Sequence, residues 1–223
     1  MTAITHLSKV TLLELLARMQ VRRVQIISSC TQSKTRHPES ALTWTDFEKG
    51  SAWVTKREAE IETISARNLY CGRQHKRVCE IIAENPSIQF DFKIASAGYG
   101  LIDADQPIAS YDATFSGLPK AEIARRSIIL GLPQAFRDAV ERTGADLTLV
   151  LLGQDYLDAC AVSTPLLAPC PTLLIGNAAC RLTIDGCNLF QIPVEDTDCQ
   201  TLGAGQVWVK AEIANQIIRA IAA

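Results

Sequence analysis

The sequence predicts an α/β domain built on a mixed or mostly parallel sheet covered by helices, and three observations support this. Candidate strands and helices alternate along the chain, the pattern of strand–helix–strand units. The strands are short and nearly all apolar, as strands buried on both faces are. No internal repeat, low-complexity run or clean linker divides the 223 residues, so one domain over 1–223 is expected. Within it, residues 1–22 form an N-terminal helix and residues 161–223 a C-terminal extension.

Taken in order, residues 7–20 place Val10, Leu12, Leu13, Leu15, Leu16 and Met19 at helical spacing. Residues 24–28 are rich in β-branched side chains and read as a short buried strand. Residues 30–50 are polar and irregular, contain His37-Pro38, and form the longest expected loop. Helices follow over 56–67 and 73–85, then a strand over 90–95 that ends in the turn Ser96-Ala97-Gly98-Tyr99-Gly100. The helical pattern returns over 120–130 and 134–143, with Pro133 in a first turn, where its missing N–H costs nothing. Residues 147–152 are the most strand-like run of the chain and lead straight into a helix beginning at Gln154. Short strands over 172–175 and 189–192 and a helix over 206–222 complete the pattern.

Composition narrows the function classes. Hydrophobic residues make up 48% and charged residues 21%, ordinary values for a globular protein. A net charge of −2 gives no global basic field that would advertise nucleic acid. No apolar run reaches the roughly 20 residues of a bilayer span, and the start lacks a cleavage-site pattern. The chain is therefore expected to be soluble, cytoplasmic and without a membrane partner. Of the 8 cysteines none stands in a Cys-x-x-Cys pair, and the 3 histidines lack zinc-finger spacing. No metal and no cofactor is expected.

In open α/β sheets ligands bind beyond the carboxyl ends of the strands. Three unusual sequences stand there. Ser28-Ser29-Cys30-Thr31-Gln32-Ser33-Lys34 joins hydroxyls, a thiol and an ammonium, and its backbone amides could cradle an anion; it also fits a polar turn with a surface lysine. Ser96 to Asp103 sets Gly98 and Gly100 around Tyr99, which permits positive φ and close approach of a ligand. Tyr111-Asp112-Ala113-Thr114-Phe115 offers a ring and a carboxylate, or a buried tyrosine with a capping aspartate. A fourth place is Gly153-Gln154-Asp155-Tyr156, where Asp155 suits a ligand contact or an ordinary first-turn carboxylate.

In this order, and together with Leu69-Tyr70-Cys71-Gly72, these segments resemble the YaaA-like superfamily over roughly Val24 to Asp158, and the segment 147–156 shares the likeness. The C-terminal quarter carries no such resemblance. The resemblance implies DNA binding and oxidative-stress response. Through the DpdC-type branch of 7-deazaguanine DNA modification, it also implies conversion of a nucleobase nitrile to an amide. Cys30 and Lys34 are further similar to the Pro-Cys-Ser-x-x-Lys motif of the archaeosine synthase family, with Ser29 and Thr31 departing from it.

Three functions follow as expectations. In the first, an enzyme acts on a modified nucleobase, possibly in DNA. Cys30 attacks the nitrile, Lys34 stabilises developing charge and Asp112 handles water. Substrate contacts come from Ser28, Thr31, Ser33, Ser96, Gly98, Tyr99, Gly100, Tyr111, Thr114 and Asp155, with Tyr99 or Tyr111 stacking on the base. In the second, a DNA-binding stress protein without catalysis uses Arg67, Tyr70, Arg73, Lys76 and Arg77. In the third, a hydrolase cleaves the glycosidic bond of a free nucleoside or nucleotide. The long loop 31–50 is expected to order around a ligand.

Overall fold

The computed structural model describes residues 14, 16, 18–36, 38–162, 165–182 and 186–222. The helix expected over 7–20, like His37, lies mostly or wholly outside them. Strands β1 (Arg23–Ser29), β4 (Gln89–Ser96), β5 (Gly100–Asp103), β8 (Leu147–Leu151), β9 (Leu166–Ile175) and β10 (Gly186–Ile192) form one six-stranded sheet in the order β10-β9-β8-β1-β4-β5. All neighbours are parallel except the β4–β5 hairpin. Every residue of β8 is buried, and so are residues 24–28 of β1. These central strands are apolar because both of their faces are covered.

The coverage follows from the connections. Helix α4 (Arg73–Glu84) lies between β1 and β4, whereas α5 (Lys120–Ile129) and α6 (Leu132–Glu141) lead from β5 back to β8. The two crossovers run in opposite directions along the sheet, so right-handed connections put them on opposite faces. The closing helix α10 (Val209–Ala222) packs on α4, β8 and β9. Strand β1 is consequently the point at which the chain turns from one half of the sheet to the other, the place where a crevice opens in such folds.

Three expectations are corrected. The loop 31–50 contains β2 (Leu42–Thr43) and α1 (Trp44–Glu48), because Asp46 accepts from the Thr43 backbone and hydroxyl and from Trp53 Nε1, closing a capped turn. The helix expected over 56–67 is instead α2 (Ser51–Glu58), β3 (Thr63–Ser65) and α3 (Ala66–Leu69). Its Thr63-Ile64-Ser65 run pairs with β6 (Pro107–Ala109), so a partner strand overrides the charge pattern that suggested a helix. Strand β9 begins at Leu166, well before residue 172, despite Pro169 and Pro171. Its pairing to β8 covers only Thr172 to Leu174, so neither proline removes a ladder bond on that side. The remaining pieces are β7 (Tyr111–Asp112), α7 (Gln154–Ala159), α8 (Asn177–Cys180) and α9 (Asp196–Thr201). No helix among the described residues is long and apolar enough to cross a membrane.

Candidate active site

The first loop after β1 does not hang free. Its backbone runs against residues 69–72: Thr35 N–H donates to Leu69 O, Cys71 N–H to Ser33 O, and Lys34 bridges Tyr70. Thr31 Oγ1 accepts from Gly72 N–H at 3.2 Å. Gly72 is required there, since a Cβ would stand 2.5 Å from Thr31 Cγ2. Strand β2 pairs in parallel with β7, matching Leu42 to Tyr111 and Thr43 to Asp112. The sequence segments 28–34, 69–72, 96–101 and 110–115 therefore converge beyond the carboxyl end of β1.

At the centre, the Cys30 Sγ lies 2.9 Å from the Tyr156 hydroxyl. Lys34 Nζ sits 4.2 Å from the centroid of the Tyr111 ring, a cation over a π face. Burial pushes the Lys34 amine below its usual value, while the Cys30, Asp112 and Cys71 groups pull it back up. Lys34 is thus an ammonium that releases its proton more readily than a solvated lysine. Cys30 and Lys34 are each 8% exposed and Tyr156 9%, whereas Tyr70 and Tyr111 are 2% exposed. Cys30, Lys34 and Tyr156 thus form a buried cluster, each with a small exposed remainder. Asp112 is exposed beside it, and Thr31 and Asp155 are half-buried.

Next to this cluster the hydroxyls of Tyr70, Ser96 and Tyr111 form a closed triangle. Tyr70 and Tyr111 are 2.7 Å apart, Ser96 and Tyr111 2.8 Å, and Tyr70 donates to Ser96 at 3.3 Å. Each hydroxyl can donate once and accept once around such a ring, so no buried polar group is left over. Burial first, then the nearby Cys30 thiol, holds both phenols well above their usual range.

Several residues expected to touch a ligand are scaffold instead. Ser28 is fully buried and accepts from Gln74 Nε2, which also donates to Leu151 O of β8. Ser96 is equally buried and caps its own turn, accepting from the Gly98 and Tyr99 amides. A Cβ on Gly98 would meet Phe47 Cζ at 2.6 Å, and one on Gly100, at φ +73, would meet Leu130 O at 2.7 Å. Phe47 and the Leu130 backbone thus pack directly on these glycines, while Gly98 and Tyr99 also line a cavity of about 300 Å³ with Phe47, Glu58 and Leu130. Base stacking on Tyr111 is excluded by its burial among Phe47, Tyr70 and Tyr99, all edge-on to it. Tyr99 is tied down at its hydroxyl by Glu58 at 2.8 Å and by the Ala109 backbone. Thr114 caps a turn through Ser116 N–H, and Ser33 is exposed on the rim.

The cluster expected to bind DNA is largely spoken for. Tyr70 is buried in the hydroxyl triangle. Arg67 forks onto Asp105, and Arg77 is held by Glu80, Glu84 and Glu212. Arg73 and Lys76 are exposed, and neither has a carboxylate partner among the described residues. Two exposed cations on one helix do not make the broad basic face that phosphate binding draws on. Among the described residues no group of three potential metal ligands forms, and Cys30, Cys71, Cys79, Cys160, Cys170, Cys180 and Cys199 are free thiols.

Tyr156 and Gln74 are the site residues that pattern reasoning passed over. Tyr156 lies one position beyond Asp155, and only the turn of α7 shows that its ring, not the carboxylate, points to Cys30. Gln74 reads as a solvent-facing helix residue until α4 is laid over the β1–β8 seam. Comparison of the chain with protein-family models, with characterised proteins and with solved structures gives no match.

Proposed function

We propose that the protein is a thiol-dependent enzyme that hydrates the nitrile of a 7-deazaguanine-type nucleobase. The observation that carries the reading is the meeting of the Cys30 thiol, the Tyr156 hydroxyl 2.9 Å away and the part-desolvated Lys34 amine at the end of the central strand. A thiol, a hydroxyl that holds its sulfur and a proton-bearing cation suit attack on an electrophilic carbon whose heteroatom must be protonated. The choice of substrate rests on the resemblance in segments 28–34 and 96–115.

In the proposed reaction the Cys30 thiolate bonds to the nitrile carbon and Lys34 gives a proton to the nitrile nitrogen, leaving a thioimidate. Water, deprotonated toward Asp112, adds to that carbon. The nitrogen takes the proton held by Asp112, the C–S bond breaks and the thiolate leaves, and the hydroxyl proton returns to Lys34, so the carbon keeps oxygen and an NH2 group as an amide. The net change is addition of one water. Tyr156 holds the sulfur in line, and its own proton stays in place because burial, then the Cys30 sulfur, raise its pKa well above the usual phenol value.

A second reading, hydrolysis of a free nucleoside or nucleotide, gains from the pairing of Arg67 and Arg77 with carboxylates, which removes the basic face that duplex DNA would need. Non-catalytic DNA binding loses support for the same reason. The test is mass spectrometry of three substrates after incubation: free 7-cyano-7-deazaguanine, its nucleoside, and DNA carrying it. A mass gain of one water that disappears in Cys30→Ala is expected. Release of free base from the nucleoside would favour the second reading. No change in any substrate would sink the nitrile assignment.

A further inference from the structure

One pocket is lined by none of the residues assigned above to chemistry. It is a cavity of about 250 Å³ whose wall includes Gly153, Gly176, Asn177, Glu195, Cys199 and Lys210. Its floor is the carboxyl ends of β8, β9 and β10, the edge where open α/β sheets hold their ligands.

The Lys210 side chain enters from α10, and its ammonium reaches the end of β8, making one long bond of 3.4 Å to Leu151 O. No carboxylate pairs with it among the described residues. Desolvation alone pushes its amine down to about 8. A half-buried ammonium with so little compensation is costly to keep, and such a group calls for an anion. The stem of Lys210 crosses Gly176, which sits at φ +128; a Cβ there would come within 3.0 Å of Lys210 Cδ. The turn is thus shaped around the lysine. At Gly153, by contrast, a Cβ would meet nothing within 4 Å, so that glycine leaves open space that no protein group occupies. The other titratable groups on the wall are Glu195 and Cys199. The Glu195 carboxylate is turned to its own helix, where it accepts from the Asp198 backbone.

We propose that this pocket binds a small phosphate-bearing ligand, with Lys210 as its counter-charge and the open backbone at Gly153 as the surface the oxyanion rests on. A tetrahedral oxyanion suits a site that offers one cation and backbone without a Cβ. The proposal is independent of Cys30, and it holds or fails whatever the nitrile assay shows.

The experiment is calorimetric titration of the whole chain with inorganic phosphate, pyrophosphate and, as a contrast, acetate. It is run near pH 8 in two buffers of different ionisation enthalpy. Saturable binding of the phosphates with proton uptake is expected, because an anion raises the pKa of the amine beside it. Acetate should bind much more weakly. Lys210→Met should weaken the phosphates by about tenfold or more, equivalent to loss of one counter-charge, and abolish proton uptake. Lys210→Arg should retain most of the affinity, and Gly153→Thr, which fills the open space with a residue that also suits a helix N-cap, should lose it. No saturable phosphate binding, equal affinity in Lys210→Met, or acetate binding as tightly as phosphate would each overturn the proposal. Should Lys210→Met not fold, proton uptake by the wild-type chain and the Gly153→Thr comparison still decide it.

Discussion

Replacing Lys210 by methionine removes a desolvated charge while keeping the length of the side chain, and its effect on stability can be worked from the structure. The amine lies at about 8 in the folded chain against 10.5 for an unburied lysine. At about 1.4 kcal/mol per pKa unit, that gap corresponds to a ceiling of roughly 3 kcal/mol. The residue is half-buried, so screening by solvent brings the expected figure to about 1–2 kcal/mol. The sign follows from proton counts. Below pH 8 both folded and unfolded chains carry the proton, and the folded chain bears the full desolvation cost. Between pH 8 and 10.5 the unfolded chain binds more protons, so wild-type stability rises with pH relative to the variant. In phosphate-free buffer, Lys210→Met should therefore be the more stable protein at pH 7. Its advantage should shrink by about 1–2 kcal/mol by pH 10.5. Urea unfolding of both chains across this range measures the difference, and other titrating groups cancel because they are common to both. A wild-type-to-variant difference that stays flat with pH would show that the ammonium is not desolvated as argued.

Other perturbations test the rest of the structure. Tyr156→Phe should cut turnover by the proposed enzyme while costing about 1 kcal/mol of stability, the usual value of one hydrogen bond; unchanged turnover in steady-state assays would remove Tyr156 from the site. Gly98→Ala should destabilise the chain by about 1–3 kcal/mol through overpacking against Phe47, and a thermal melt like that of wild type would contradict the close approach. At Asp46, burial raises the carboxyl pKa, but hydrogen bonds from Thr43 and Trp53 outweigh it and hold the group below its usual value. Its contribution, about 1–3 kcal/mol for a charged acceptor, should be present at neutral pH and fade as pH falls below about 4. Asp46→Asn should accordingly lose more stability at pH 7 than at pH 3 in denaturant titrations.

The sequence by itself determined the architecture. The alternation of apolar strands with amphipathic helices requires a covered sheet, since a strand such as 147–151 has no polar face to show to water. It also singled out segments 28–34, 96–103 and 111–115, which the fold brings together past the end of β1. Local pattern could not decide what those residues do there. Gly98, Gly100, Ser28 and Ser96 carry the same signature whether a ligand or a protein side chain fills the space beside them. Only the tertiary structure shows that Phe47, Leu130 and Gln74 pack against Gly98, Gly100 and Ser28. Arg67 reads as part of a basic cluster because its partner Asp105 is 38 residues away, and of the three carboxylates on Arg77, Glu212 is 135 residues away. Lys210 gave no signal, since one lysine on an amphipathic helix is ordinary until α10 lays it across the end of β8. Hydrophobic periodicity is local and so survives in the chain, whereas burial, charge pairing and desolvation depend on which distant residues the fold brings together.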